Sequence, residues 1–197
     1  NICRIANKRK IRTKNFFFDK KAVNYIQKMY KKPKVITATN VFAHIDDLDK
    51  LVDNIKKIID KKKGIFIIEA PHFLHLYKRL EYDTIYHEHL SYLTVEPLIK
   101  FFKKKGFEII NVLKNDFHGG SVRIIVSLKG NYKVEKSVLD IVKLEKYNNL
   151  NQKSNLVKFS KKVKNNRYDL IKKLISLKQK GKKIILVSAP AKGMTLI

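Results

Sequence analysis

Val35-Ile36-Thr37-Ala38-Thr39-Asn40-Val41-Phe42-Ala43-His44 and Ile65-Phe66-Ile67-Ile68-Glu69-Ala70-Pro71 enclose a helical stretch, and this run decides the fold. The two outer segments are β-prone and the second is apolar throughout, as a strand buried on both faces would be. Between them Leu48, Leu51, Val52, Ile55, Ile58 and Ile59 keep helical spacing. Asp46 is placed to cap that helix and Gly64 to end it. Strand, helix, strand predicts an open, largely parallel α/β sheet. Ligands of such sheets gather at the carboxyl ends of the strands. Residues 40–44 and 69–71 are therefore expected on the ligand side.

Working outward, residues 2–9 read as the end of a helix and Lys10 to Phe18 as a short strand and turn. Asp19 can cap a helix running to Tyr30, with Ala22, Val23, Ile26 and Met29 on one face. On the other side, residues 72–82 suggest an irregular helix. Thr94 can cap another through Lys105, which Gly106 closes. Phe107–Leu113 and Ser121–Leu128 alternate as strands and suit an antiparallel pair at the sheet edge. Lys133–Lys180 reads as two lysine-rich helices broken at Asn148-Asn149-Leu150-Asn151-Gln152. Ile184-Ile185-Leu186-Val187 then reads as a buried strand before the loop Ser188–Thr195, the opening of a second α/β unit. The expected division is 1–128 and 129–197.

At 197 residues with 44% hydrophobic content, the chain holds one domain, or one with part of another. The single cysteine, Cys3, excludes a disulfide framework and a cysteine zinc site, and suits a reducing compartment. With no signal sequence and no apolar run near twenty residues, the sequence reads as a soluble cytoplasmic chain without a membrane partner. The net charge of +27 is carried mostly by lysines spread over every helix. Such a Lys/Asn/Ile-rich composition follows from an AT-biased genome and implies no nucleic-acid partner. The chain opens on Asn1 without methionine and closes on Leu196-Ile197, and both ends read as positions inside a longer protein.

Proton-transfer groups are densest at Tyr86-His87-Glu88-His89-Leu90-Ser91-Tyr92. An imidazole is well matched to removing a proton near neutral pH, and a nearby carboxylate can orient it. Adjacent strand residues point to opposite faces, so Glu88 and His89 need a turn or helix to cooperate. A polar surface loop fits the same residues. Asn40 and His44 can line a pocket or cap the sheet. His118-Gly119-Gly120-Ser121 with Arg123, and Ala189-Pro190-Ala191-Lys192-Gly193, can hold phosphate oxygens; the first equally makes a hairpin turn. His72 and His75 lie three apart with no second metal-like pair, so no metal is expected.

Taken together these stretches resemble the deoxysugar C-methyltransferases, which use S-adenosylmethionine to methylate carbon of a nucleotide-linked 4-keto sugar. The resemblance rests on Ile5-Ala6-Asn7-Lys8, Asn40-Val41-Phe42-Ala43-His44-Ile45-Asp46-Asp47, Tyr86 to Tyr92, His118-Gly119-Gly120-Ser121-Val122-Arg123 and Ala189-Pro190-Ala191-Lys192-Gly193, in family order. It implies a partial class I methyltransferase sheet, Rossmann-like, over 1–128. Over 129–197 it implies a helical connection and the start of a C-terminal α/β domain. Zinc is expected only in an N-terminal domain, and the glycine-rich donor loop before Asn1, so this chain alone is expected to be inactive. By resemblance His89 is the base that removes a proton beside the ketone, with Tyr86, Glu88 and His44 orienting it and stabilising the enolate. Asn40 would touch donor or sugar, and His118, Ser121, Arg123 and Lys192 the nucleotide diphosphate. Methylation of another acceptor, such as a hydroxyl, and a basic nucleic-acid-binding module stay open. The sequence sets no oligomeric state.

Overall fold

A computed structural model of the chain describes residues 1–185, 187 and 191–196, apart from the side chains of residues 118, 191, 194 and 196. The expected loop residues Ser188, Ala189 and Pro190, and the side chain of His118, lie outside the described residues.

Helix α1 (Ile2–Lys8) leads into an extended segment, and helix α2 (Lys20–Met29) follows. Asp19 caps α2 by accepting from the backbone N–H groups of Lys21 and Ala22. Strand β1 (Val35–Thr39) gives way to a single 3-10 turn at Phe42–His44 and then to α3 (Leu48–Ile58). The cap of α3 is Asp47, whose carboxylate accepts from the Lys50 N–H, and not Asp46. Strand β2 (Ile65–Pro71), α4 (Phe73–Arg79) and α5 (Val95–Lys104) come next. Strands β3 (Phe107–Asn115) and β4 (Ser121–Leu128) precede α6 (Lys136–Tyr147), the long α7 (Lys153–Gln179) and α8 (Ala191–Leu196).

Among the described residues the strands form one sheet in the order β1-β2-β4-β3. Only β1 and β2 are parallel; β4 runs antiparallel to both β2 and β3. The sheet is therefore mixed, against the expectation of a largely parallel one. The reason is local: the hairpin from β3 folds β4 back into the slot beside β2, with no helical crossover. A bulge between Ile109 and Asn111 breaks the β3 register. There the Ser137 hydroxyl donates to Asn111 Oδ1 and accepts from the Val112 N–H, tying the start of α6 to the strand.

The core lies between the sheet and α3, α5 and α6. Phe42, Phe66, Phe102, Ile124 and Val126 are fully or almost fully buried in it. Each such side chain contributes about 1.5–3 kcal/mol of transfer free energy. Val138 and Ile141 of α6 belong to the same core.

Two expected strands do not form. Lys10 turns with φ of 61° and residues 11–17 have no strand partner among the described residues, Phe17 being 91% exposed. The Asn7 side chain holds this segment instead, donating to the Thr13 carbonyl and accepting from its N–H. Ile184, Ile185 and Val187 are exposed and outside any strand, while Leu186 lies outside the described residues. No described strand runs beside them to complete a ladder, and an unpaired strand leaves its backbone groups to water. Residues 191–195, expected as loop, belong to α8.

Candidate functional site

The carboxyl ends of β1 and β2 open into a cleft of about 200 Å³. Its lining includes Asn40, Ala43, His44, Pro71, His72, Tyr86, His89, Tyr92 and Lys192. Asn40 leaves β1 with φ of 52° and donates its N–H to the Glu69 carbonyl, so the chain turns sharply across the end of β2. Asparagine tolerates this left-handed geometry better than most residues. The 3-10 turn that follows buries Phe42 and Ala43 and turns His44 outward.

The Tyr86 segment is pinned onto that turn. The Leu90 and Ser91 N–H groups both donate to the Ala43 carbonyl, at 2.9 and 3.1 Å. His89 N–H closes a turn on the Tyr86 carbonyl. This is the turn that adjacent residues need to escape the alternation of a strand. The His89 ring lies 4.8 Å from that of His44 and 4.6 Å from that of Tyr86, centroid to centroid.

Both imidazoles have their tautomer set by the backbone. His89 Nδ1 is 2.6 Å from the Thr84 carbonyl oxygen, and His44 Nδ1 is 2.7 Å from that of Glu88. A carbonyl oxygen only accepts, so each Nδ1 must carry its proton. In the neutral ring Nε2 is then the bare, basic nitrogen. Tyr92 also reaches the Thr84 carbonyl, at a long 3.5 Å. Burial raises the Tyr92 phenol above its ordinary value, with Tyr86 backbone hydrogen bonding opposing.

Of the residues named from sequence, Asn40, His44, Tyr86, His89 and Lys192 meet at this cleft. Lys192 arrives on α8, which packs on the 3-10 turn Tyr82–Thr84. Glu88 does not line the cleft; its side chain is exposed and its carbonyl serves His44. Ser121 is fully buried, donating to the Phe117 carbonyl. Arg123 sits across from Glu69 in the β2–β4 register and binds its Oε2 through Nε and Nη2, at 2.8 and 2.7 Å. Among the described residues no group of three or more His, Cys, Asp or Glu side chains could hold a metal ion. No described helix is long and apolar enough to cross a membrane.

Sequence reasoning missed Glu145 and weighed His72 only as a metal ligand. His72 lines the cleft, and its Nε2 lies 2.7 Å from Glu145 Oε1, with both side chains almost fully buried. The signal available was slight: one glutamate among lysines on α6. His75, one turn along α4, packs its ring edge-on to His72. Burial lowers the His75 pKa, and the positive charge of Arg79 pushes it the same way.

Against known families, residues 1–112 match a methyltransferase domain. The chain belongs to that family. Residues 116–197 match a C-methyltransferase C-terminal domain. The C-methyltransferase NovU of Streptomyces niveus is 24% identical over 198 residues, covering all of this chain and 47% of NovU. The chain thus spans about half the length of that curated relative. Most of the cleft lining falls in the first matched segment, while Gly120 and Lys192, like Glu145 behind it, come from the second.

Proposed function

We propose that this chain is the acceptor-binding and proton-removing part of an S-adenosylmethionine-dependent C-methyltransferase acting on a nucleotide-linked 4-keto deoxysugar. The observation that carries the reading is the His89 tautomer. Its Nδ1–H rests on the Thr84 carbonyl, so in the neutral ring Nε2 is the basic nitrogen of a side chain that lines the cleft.

A hydrogen on the carbon beside a ketone is acidic enough for a positioned base to remove. His89 takes that proton on Nε2. The imidazolium so formed keeps its Nδ1–H on Thr84, which fixes the ring before and after transfer. Tyr86 and His44 stand beside it: the Tyr86 hydroxyl is a donor that can stabilise the negative charge developing on the ketone oxygen, and the His44 ring packs against that of His89 and orients it. The donor contributes an electrophilic methyl carried on a sulfonium. Asn40 and Ala43, at the end of β1, are the residues of this chain that would border it. Lys192 brings a positive charge to the same cleft, suited to a diphosphate. Its match to the C-methyltransferase C-terminal domain and its likeness to NovU support carbon over oxygen as the methyl acceptor.

The test is exchange without methyl transfer. The full-length protein, given a nucleotide-linked 4-keto deoxysugar in deuterated water and no methyl donor, is expected to wash deuterium into the carbon beside the ketone. No exchange with wild-type protein, alongside methylation of a sugar hydroxyl once donor is added, would overturn carbon methylation.

A further inference from the structure

Glu145 lies on α6, 50 residues from Val95 and 73 from His72, yet its carboxylate gathers both. Oε1 accepts from His72 Nε2 at 2.7 Å and from the Val95 N–H at 2.6 Å, while Oε2 accepts from the Glu96 N–H at 3.0 Å. The carboxylate thus closes the first turn of the ten-residue α5, a task for which the Thr94 cap position uses no side-chain hydrogen bond. The buried negative charge is matched by three donors and by the positive end of the helix dipole.

The two elements it joins, the end of β2 and the start of α5, each continue a stretch of cleft wall, and the two stretches are neighbours. One is the end of β2 and start of α4, with Pro71, His72 and Phe73; the other is Ser91, Tyr92 and Leu93, the exit of the segment that carries His89. Phe73 N–H donates to the Leu93 carbonyl, and a bridge pairs His72 with Leu93. The segment is thus held twice after His89, at Ala43 through the Leu90 and Ser91 N–H groups and at the Glu145 junction through Leu93, Val95 and Glu96.

His72 adds a second observation. A carboxylate oxygen accepts, so the bond to Glu145 places the His72 proton on Nε2. Among the described residues its buried Nδ1 has no hydrogen-bond partner. Leaving such an atom unpaired is costly, and groups of this kind persist where something else needs the arrangement.

We infer that Glu145 and His72 are positioning residues: their buried hydrogen bond ties the two cleft walls together and thereby holds the His89 ring on the Thr84 carbonyl. This rests on the cleft being the reaction site, but the experiment uses no substrate, so its failure and the failure of the proposed reaction are distinguishable.

The experiment is long-range proton–nitrogen NMR of the imidazoles in the 197-residue chain, run well below the unfolding temperature. In the wild type His89 and His44 are expected as the Nδ1–H tautomer and His72 as the Nε2–H tautomer. Glu145→Gln and His72→Leu are expected to release His89 into a mixture of tautomers. His72→Gln keeps an N–H at the position of Nε2 and is expected to restore the wild-type His89 signals. If His89 stays Nδ1–H in the folded His72→Leu protein, the pair has no hold on it and the inference fails. If His72→Gln behaves like His72→Leu, ring packing and not the hydrogen bond holds the walls, and the inference also fails. Should Glu145→Gln not fold, the two His72 variants decide the matter alone.

Discussion

His44 and His89 present their rings 4.8 Å apart, and each directs its Nδ1–H at a backbone carbonyl of the same segment, that of Glu88 and that of Thr84. Two neighbouring imidazoles therefore share one tautomer. The amide of asparagine can occupy the Nδ1 position of a histidine while offering nothing at Nε2. His89→Asn is thus expected to keep the bond to Thr84 and the fold, and to slow the full-length enzyme about 10²–10⁴-fold. Steady-state turnover with unchanged near-UV circular dichroism would check this. A wild-type rate would remove His89 from the role of base.

Gly120 is expected to reject a side chain. Its φ is 119°, and a Cβ there would lie 2.3 Å from His75 Cγ. Gly120→Ala should lower stability by about 1–3 kcal/mol through backbone strain and displacement of His75. Urea unfolding of the two proteins gives the comparison, and a loss under half a kilocalorie would show that the hairpin tip can shift at little cost.

His75 gives the fold a pH dependence whose sign can be worked out. Its native pKa is lowered by burial from the ordinary 6.5 that the unfolded chain retains. Between those two values the unfolded chain holds more protons, so stability rises with pH there. The contribution is present above pH 6.5 and is lost as pH falls through the lower native value. His75→Gln is expected to flatten this part of the profile. Urea midpoints followed downward from neutral pH would read it, and equal slopes in both proteins would refute it.

The cap of α3 separates two adjacent aspartates. Asp47 accepts from the Lys50 N–H, while Asp46 is exposed one residue outside the cap. Asp47→Ala should cost about 1 kcal/mol and Asp46→Ala less than about 0.5 kcal/mol. Thermal unfolding of both variants tests the assignment, and equal losses would contradict it.

Much of this was legible in the sequence because the signals are local. Leu51, Val52, Ile55 and Ile58 share one buried helical face, and the alternation of 107–113 and 121–128 gave an antiparallel pair. Asn40, His44 and His89 reached the same cleft because strand ends in such sheets collect ligand-facing residues. What stayed hidden depends on distance along the chain. Arg123 looked free for a phosphate because nothing local reveals that Glu69 lies opposite it in another strand. Glu145 looked like one more surface charge between Lys143 and Lys146, since residue type alone argues against burial. Phe16 and Phe17 read as strand residues because β-propensity measures fit to a neighbour, and here the described residues provide none.

The Glu145 junction also bears on how such proteins can be recombined. The two matched segments meet between residues 112 and 116, yet the carboxylate that closes α5 comes from the second and its three donors from the first. A chimera joined at that seam inherits the junction only if the incoming half brings an acidic side chain to the same turn of α6. Without one, the host half keeps a buried imidazole and two open amide groups. Module exchange in this architecture is therefore constrained by one interior carboxylate, and a crossover placed after Leu150, beyond α6, would carry the whole junction across intact.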